Sequence, residues 1–302
     1  MTTKPAETMT EGQAPGPMTG RRYLESLRDR REVWIDGERV EDVTTHPAFK
    51  DMVGELVRVY DLQNSPHYRD EMTCIDPTTA QRISVSRLLP HGGEDLKHKR
   101  RTANCGTSSP GPARPEPRYP GRPTSSPRST SKTNSVAVKH PRCDFGENPE
   151  HYYRVYMSHD LFLTHALGDP QVDRSTQPQN EPRTVPEDEE VAPAVVEETR
   201  DGVVVTGGKQ LSTAAPHSNE CCVSLSATFA RRSNPKCVIA FAFAIRSNSI
   251  GLKMLAREPG SRWFGSWGHP LKMLDEQDCM LFFDHCSCLG TAASCFTTPR
   301  RR

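Results

Sequence analysis

The sequence predicts an α+β protein, and three observations support this. Residues 49–60 place apolar side chains at the helical period. Residues 32–43 form two alternating arms around Asp36-Gly37, which is typical of a β-hairpin. Residues 238–284 contain short apolar runs separated by glycine, a pattern that suits a barrel or two packed sheets.

Bulk composition bounds the possibilities further. The 302 residues include 39 basic and 38 acidic side chains, giving a net charge of +1 that attracts neither nucleic acid nor a membrane surface. The hydrophobic fraction of 34% is low and the 26 prolines are many, which indicates folded pieces interrupted by segments unable to bury enough surface. No apolar run reaches membrane-spanning length, and residues 1–17 lack the pattern of a secretory signal. We therefore expect no membrane partner and a cytoplasmic location.

The first elements can be placed in order. Residues 1–17 are polar and rich in Thr, Pro and Gly, so we expect a disordered tail. A short amphipathic helix follows, with Thr19 as its N-cap candidate. After the hairpin, a second helix opens near Pro47, and we interpret the preceding His46 as a capping or packing residue.

The middle of the chain changes character. Residues 72–89 alternate between polar and apolar and predict a strand or extended arm, and residues 94–101 predict a charged helix. Residues 102–142 are rich in Pro, Ser and Arg with almost no apolar side chain. A linker of this length is unusual inside a compact domain. Read alone, it is a basic disordered linker, with a contact to nucleic acid as a weak alternative, since Tyr119 is its one aromatic residue.

The pattern returns at residue 145. A helix carrying Tyr152, Tyr153 and Tyr156 near its apolar face is expected there, then an acidic loose segment at residues 184–198. Residues 195–205 predict a hairpin, and strands are expected at residues 238–245, 251–259 and 280–284.

Residues 161–174 concentrate the polar chemistry. Leu161, Phe162 and Leu163 predict a buried start, and Thr164 and His165 follow; beyond a Gly-Asp-Pro turn come an amide and an Asp/Arg pair. Polar groups placed at the end of a strand are a common way to build a site on a rigid scaffold. The segment is the candidate functional site.

Three stretches carry a resemblance to a known family. Residues 161–174, the run from residue 32 to residue 49, and the G-x-K-x-x-a-T-x-A-P pattern within residues 206–216 resemble the 4-hydroxyphenylacetate 3-hydroxylase family. These are the oxygenase components of two-component monooxygenases that use reduced FAD. The resemblance covers residues 18–101, 144–216 and, more loosely, 238–284; it omits residues 102–143 and the tail.

The resemblance implies an acyl-CoA-dehydrogenase-like fold with an N-terminal helical domain and a middle β-barrel domain, the C-terminal helical bundle being missing. On this basis the domains are residues 18–160 (with 102–143 disordered) and 161–285, and residues 286–302 are an irregular tail. The family forms homo-oligomers, which the missing bundle places in doubt here.

The implied function is hydroxylation of a phenol such as 4-hydroxyphenylacetate, ortho to its hydroxyl, with O2 and with FADH2 from a separate flavin reductase. The resemblance assigns the catalytic role to His165, because an imidazole can hold or relay the phenol proton. It assigns flavin contacts to His165, Gln171, Val172, Asp173, Arg174 and Thr213. Structural alternatives stay open: a backbone-satisfied histidine, an Asp173/Arg174 turn pair, and strand packing for Thr213.

Two breaks in the resemblance suggest a frameshift hypothesis. Codons can be chosen for residues 114–119 that, when read one base later, encode the family's G-R-S-P-D motif. Codons for the family's V-L-V-P-W-D, when read one base later, encode residues 286–291 as they stand here. We therefore predict frameshifts at about residues 102–143 and after residue 285, which sequencing the gene would test. An inactive translated remnant is the alternative function, and a 4-hydroxybutyryl-CoA dehydratase-like enzyme a weaker one. Because the ten cysteines lack C-x-x-C spacing, no metal is predicted.

Overall fold

A computed structural model describes residues 16–105, 139–140, 143–144, 148–168, 170, 193–199, 202–223, 242–259, 277–289 and 293–295. Its α-helices are α1 (Gly20–Ser26), α2 (Lys50–Leu62), α3 (Arg69–Met72), α4 (Gly93–Cys105) and α5 (Asn148–His159). Short 3-10 helices span Val85–Arg87 and Ala215–His217.

A ten-stranded mixed sheet organises the molecule. Its strands are β1 (Glu32–Ile35), β2 (Glu38–Val40), β7 (Leu163–Gly168), β8 (Ala194–Glu198), β9 (Gly202–Thr213), β10 (Glu220–Val223), β11 (Ala242–Arg246), β12 (Leu252–Ala256), β13 (Asp278–Leu289) and β14 (Ala293–Cys295). The order across the sheet is β14-β11-β10-β7-β9-β13-β12-β1-β2, and β8 pairs with β9. Two small separate sheets are formed by β3 (Thr73–Ile75) with β4 (Arg82–Ser84), and by β5 (Lys139–His140) with β6 (Cys143–Asp144).

The N-terminal hairpin forms where it was predicted but belongs to the large sheet. Asp36 and Gly37 both have positive φ, 51° and 77°, as a tight Asp-Gly hairpin turn requires. β1 then pairs in parallel with β12, with Glu32 opposite Lys253. The hairpin therefore shares a sheet with the strands after residue 161, and the predicted division at residue 160 does not separate helices from strands.

The two N-terminal helices pack as the periodicity predicts. Thr19 is the N-cap of α1, its hydroxyl accepting a hydrogen bond from Arg22 N. α2 buries Met52, Val53, Leu56, Val59 and Tyr60. The predicted start of α2 near Pro47 is too early, because residues 45–49 form turns before the helix begins at Lys50. Of the two roles expected for His46, packing is confirmed, since its ring lies against Phe49. Its Nδ1 accepts from Ala48 N at 3.2 Å in the turn before α2, whose N-cap is Phe49 without a side-chain cap.

The predictions for residues 72–105 need adjustment. The expected extended arm is two short strands, β3 and β4, followed by a 3-10 turn. The charged helix α4 continues to Cys105, so the first four residues of the predicted disordered stretch are helical. Residues 139–140 and 143 of the same stretch belong to the small strands β5 and β6, contrary to the prediction. Its remaining residues, 106–138 and 141–142, lie outside the described residues, as do residues 1–15.

The end of the chain departs most clearly from expectation. β13 continues past residue 285 to Leu289, and its Cys286 and Cys288 are buried opposite Val205 and Val203. Ala293–Cys295 add β14 to the edge of the sheet. The prediction of an irregular tail from residue 286 is therefore wrong for these strands, because two thiol side chains at alternate positions fill the core as small apolar groups.

A buried ion pair joins the helical part to the start of β7. The Arg87 Nε atom lies 2.8 Å from Asp160 Oδ1, and both side chains are at most 1% exposed. The other carboxylate oxygen of Asp160 accepts from Met18 N and from Gln63 Nε2, at 3.0 and 2.7 Å. Arg87 also donates to the Leu161 carbonyl. The strand that carries His165 thus begins at a fixed, fully bonded point.

Among the helices in the described ranges, none combines the length and apolar character needed to span a bilayer.

Candidate functional site

Strand β7 presents His165 on its outer face. Thr164 and Ala166 are buried at 6% and 0% exposure and point into the core, whereas Leu163 and His165 are half-buried and Leu167 is exposed. Because successive side chains of a strand alternate between faces, Leu163, His165 and Leu167 share the face opposite to Thr164 and Ala166. Leu163 packs against the core, whereas His165 keeps part of its surface exposed.

The neighbouring strands place Thr213 beside it. β9 runs antiparallel to β7 with Ala166 opposite Ser212, and one further step in this register sets His165 opposite Thr213. Ser212 Oγ donates to the His165 carbonyl at 3.2 Å, and the Thr164 hydroxyl donates to the Thr213 carbonyl. Opposed residues of an antiparallel pair point to the same face. The structure thus brings together two of the six predicted site residues.

The Thr213 hydroxyl already has a partner. It donates to Asp278 Oδ1, at 2.6 Å, at the start of β13. This bond fastens β9 to the next strand, which supports the structural interpretation of Thr213. The oxygen keeps lone pairs that can accept a hydrogen bond, so a flavin contact stays a prediction.

The remaining predicted flavin contacts cannot be placed. Gln171, Val172, Asp173 and Arg174 lie outside the described residues.

A tyrosine and a glutamate that were not predicted lie close to His165. β10 runs parallel to β7, with Cys222 opposite His165 and Glu220 opposite Leu163. The Tyr152 hydroxyl, from α5, donates to Glu220 Oε2 and lies 4.0 Å from Cys222 Sγ. Burial raises the pKa of the Tyr152 phenol well above its usual value, with the nearby Cys222 and Glu220 adding to the effect.

The two β10 side chains are also perturbed. Burial raises the pKa of the Glu220 carboxyl, against the opposing influence of the Tyr152 hydrogen bond and the Arg246 charge. Burial likewise raises the pKa of the Cys222 thiol to about 12, so this cysteine is a neutral thiol and not a nucleophile. The tyrosines of α5 were expected only as an apolar helix face; spacing along the chain gives no sign of the Tyr152–Glu220 bond.

A backbone irregularity exposes an apolar side chain nearby. Ser212 and Lys209 of β9 face Cys279 and Leu281 of β13, so β9 carries one extra residue at this point. Leu211 lies in this bulge with φ of 64° and is 58% exposed. Bulges often re-aim side chains next to functional sites. With Leu167, 39% exposed, Leu211 provides the apolar surface that a flat ring system needs.

A second concavity lies elsewhere and is structural. It measures about 210 Å³ and is lined by Leu27, Arg28, Asp29, Arg31, Val40, Glu41, Asp42 and Val43. The Arg31 guanidinium on its wall is satisfied by Asp29 and by the carbonyls of Pro216 and Ser218. Arg31 therefore fixes the turn between β9 and β10, which is a structural role.

Within the described part of the chain, no three His, Cys, Asp or Glu side chains are arranged to hold a metal ion. The cysteines described there are free thiols.

Comparison with known proteins decides the family. Residues 19–287 match the family model described as "4-hydroxyphenylacetate 3-hydroxylase N terminal". The chain belongs to the 4-hydroxyphenylacetate 3-hydroxylase family. It is 32% identical over 279 residues to the 4-hydroxyphenylacetate 3-monooxygenase oxygenase component of Thermus thermophilus, an alignment that covers 88% of this chain and 52% of the relative.

Solved structures agree with this membership. A crystal structure of the oxygenase component HpaB, complexed with FAD and 4-hydroxyphenylacetate, matches with a TM-score of 0.72 and 27% identity, over 93% of this chain and 56% of that one. An archaeal 4-hydroxybutyryl-CoA dehydratase from N. maritimus matches at 16% identity with a TM-score of 0.65, over 94% of this chain and 55% of that one, which shows a shared fold alone. The predicted α+β, acyl-CoA-dehydrogenase-like fold class is confirmed.

The chain spans about half the length of the curated relatives it matches. Within the 4-hydroxyphenylacetate 3-hydroxylase family, it therefore corresponds to the N-terminal helices and the sheet that carries His165.

Proposed function

We propose that this chain is the oxygenase part of a two-component flavin monooxygenase that hydroxylates a phenol, such as 4-hydroxyphenylacetate, ortho to its hydroxyl. Reduced FAD and O2 supply the oxidising chemistry. The observation that carries the proposal is the placement of His165 and Thr213 on one outer face of the sheet, in a chain belonging to a family with a member solved in complex with FAD and 4-hydroxyphenylacetate.

The described residues fit a flavin at this face. Exposed Leu167 and Leu211 offer an apolar surface for the flavin ring, and the Thr213 hydroxyl oxygen offers a hydrogen-bond acceptor next to this surface. In the proposal, the flavin is also bound by the amide and charged groups of the segment that contains Gln171, Val172, Asp173 and Arg174. When bound, the reduced cofactor delivers the oxygen atom, and the protein excludes water and orients the ring.

His165 handles the phenol proton in this proposal. One imidazole nitrogen accepts the proton of the substrate hydroxyl, which raises electron density at the ortho carbon that is to be hydroxylated. Histidine suits this role because its ordinary pKa lies near neutrality. The ring belongs to a strand anchored at Asp160 and hydrogen-bonded to both neighbours, so its position is held without the ligand.

The partners follow from the same chemistry. We propose a separate flavin reductase as the source of reduced FAD, and the cytoplasm as the place of action. Homo-oligomer formation stays a prediction taken from the family.

Flavin retention tests the proposal directly. The purified chain is mixed anaerobically with reduced FAD, passed over a desalting column and assayed for bound flavin, then for oxygen uptake dependent on 4-hydroxyphenylacetate. We expect flavin to be retained, and His165→Asn to reduce phenol-dependent oxygen uptake about 100-fold, the scale of a lost general base, while flavin retention is unchanged. His91→Gln, at an exposed position, is the matched control.

Two results would contradict this function. Failure of the wild-type chain to retain flavin would remove the cofactor site and favour the inactive-remnant alternative. Unchanged phenol-dependent oxygen uptake in His165→Asn would leave the flavin site in place and remove the role of the imidazole.

A further inference from the structure

The Tyr152–Glu220 pair has no part in the function proposed above. Tyr152 reaches from α5 to the outer face of the sheet and donates its one hydroxyl proton to Glu220 Oε2. Glu220 is 9% exposed and precedes by two residues the Cys222 that lies opposite His165 in the parallel register. Since adjacent strands are about 4.8 Å apart, the Tyr152 hydroxyl, 4.0 Å from Cys222 Sγ, stands beside the candidate site.

The direction of the hydrogen bond determines what the tyrosine can offer. A phenol has a single O–H donor, and a carboxylate accepts only. With its proton given to Glu220, the Tyr152 oxygen presents lone pairs alone to any other group. The Cys222 thiol already uses one of them weakly, at 4.0 Å. Tyr152 is half-buried, and a ligand that uses this oxygen must approach it from the side of His165.

We propose that the Tyr152 oxygen accepts a hydrogen bond from the hydroxyl of an aromatic ligand bound beside His165, and that Tyr152 and Glu220 thereby select the neutral phenol over the phenolate. This inference rests on the proposed function, because it assumes that a phenol binds at this face. It adds a specificity-determining residue and the ionisation state in which the substrate is taken up.

The surrounding charges favour the same form of the ligand. Among the described residues, the titratable and charged groups around the Tyr152–Glu220 pair are Cys222 on β10 and Arg246 on β11, with His165 on β7 opposite Cys222 in the strand register. Cys222 is neutral, and burial keeps Tyr152 protonated because its phenol pKa is raised. Arg246 pairs in register with Glu220 on the side of β10 away from β7, so its charge is one strand farther from His165 than that of Glu220. Burial raises the pKa of the Glu220 carboxyl; in its ionised form this group is the nearer charge and repels a phenolate.

The inference also clarifies why a base is needed. A phenol that arrives neutral brings its proton into the site, and that proton must leave before the ring reacts. Tyr152 cannot take it while its own proton stays on the bond to Glu220. His165, on the adjacent strand, is then the acceptor, and the two residues divide the work of binding and deprotonation.

Titration of 4-nitrophenol tests the inference, because only its phenolate is yellow. The chain is titrated with this compound across its ionisation range, and the visible absorbance of the bound ligand is compared with that of the free compound. We expect binding to the wild-type chain to raise the ratio of neutral to ionised ligand about tenfold, the scale of one hydrogen bond to a charged network. Tyr152→Phe and Glu220→Gln should each return this ratio towards that of free 4-nitrophenol.

Tyr153→Phe is the matched control, since it removes a hydroxyl from the next residue of the same helix. That hydroxyl donates to the Arg87 carbonyl at 2.7 Å, away from the sheet face. The control should keep the wild-type ratio, and circular dichroism and thermal unfolding establish that each variant is folded.

The possible results separate the two proposals. If the wild-type chain binds no 4-nitrophenol, the proposed function fails and the inference with it. If the wild-type chain binds the compound but Tyr152→Phe and Tyr153→Phe give the same ratio of ionised to neutral ligand, the inference alone is overturned. Binding of the yellow form in preference to the neutral form by the wild-type chain also overturns it.

Discussion

At the scale of single residues, Asp160 has the most demanding environment. It has positive φ, 53°, and its carboxylate accepts hydrogen bonds from a guanidinium, a backbone amide and a side-chain amide, all buried. Removing one partner of a buried ion pair leaves an uncompensated charge, which costs far more than the net worth of the pair. The strand that carries His165 depends on this residue for its starting point.

Asp160→Asn tests this dependence. Asparagine tolerates the left-handed conformation, so the variant removes the charge without adding backbone strain, and its amide nitrogen must face a donor. We expect the free energy of unfolding to fall by about 3–5 kcal/mol, measured by urea denaturation. The control Lys97→Gln breaks an exposed ion pair with Glu94 and should cost at most about 1 kcal/mol. Equal losses in both variants would show that the buried pair is not special.

Lys99 predicts a pH dependence of stability. Burial, and secondarily the charge of Arg87, lowers the pKa of its ammonium from 10.5 to about 8. Between about pH 8 and pH 10.5 the unfolded chain holds a proton that the folded chain has released, so stability rises with pH in this window. A neutral amine keeps two donors for the carbonyls of Val85, Ser86 and Leu88.

The variant Lys99→Met removes this titration. Urea denaturation across the window should show the wild-type chain gaining up to about 3 kcal/mol relative to the variant as pH rises. A difference between the two proteins that stays flat over the same range would mean that the pKa of Lys99 is not lowered.

At the scale of elements, the pairing of β12 with β13 depends on one glycine. Gly251 has φ of 87°, and a Cβ at this position would lie 2.2 Å from the Asp284 carbonyl oxygen. The same two residues are joined by a hydrogen bond from Asp284 N to Gly251 O, at 2.9 Å. The backbones approach each other so closely that no other residue fits.

Gly251→Ala should therefore destabilise the sheet beyond the cost of backbone strain. We expect a loss of about 3 kcal/mol or more, combining strain at positive φ with the clash, measured by thermal unfolding. Gly37→Ala isolates the strain, because Gly37 has φ of 77° with no atom within 4 Å of the added Cβ; it should cost about 1–2 kcal/mol. Identical losses would indicate that β13 moves aside without penalty.

Some of the secondary-structure elements could be predicted from the sequence and others could not. Local signals were sufficient for α2, for the Asp36-Gly37 hairpin and for β12, since each depends on periodicity or on a turn residue. The parallel pairing of β1 with β12 was not predictable, because no local pattern encodes a partner more than 200 residues away. The continuation of β13 through Cys286 and Cys288 was not predicted, because the boundary at residue 285 was taken from the end of the family resemblance and not from the alternation of buried residues along the strand.

The candidate site was predictable to a similar extent. A Thr-His pair after a buried run marked β7, and the resemblance added Thr213, which the register sets opposite His165. Tyr152 and Glu220 were missed because a helix and a strand far apart in sequence meet there only through the fold. Polar contacts between elements that are distant in sequence can be identified only from the three-dimensional structure.

At the scale of the whole molecule, the sheet has an exposed apolar surface. Leu255 on β12 is 43% exposed and Phe282 on β13 is 38% exposed, and the register places them on neighbouring strands. Leu167 and Leu211 add to the exposed apolar side chains. Exposed apolar side chains on neighbouring strands promote association.

Concentration-dependent self-association is the expected consequence. Analytical ultracentrifugation of the purified chain should show it, and Phe282→Lys should weaken association about tenfold by replacing an apolar contact with a charge. Ile250→Lys, at a turn position that is 93% exposed, should have no comparable effect. Association that is insensitive to both changes would place the contact elsewhere.

The parallel pairing of β1 with β12 also constrains synthesis. A ribosome that has released residues 16–105 has made α1 to α4 and the first hairpin, but neither α5 nor the strand on which β1 rests. More than 200 residues separate the end of this hairpin at Val40 from the start of β12 at Leu252, and pairings with such long separations form slowly. Until β12 is made, β1 therefore has an uncovered edge of the kind that exposes partly folded chains to aggregation.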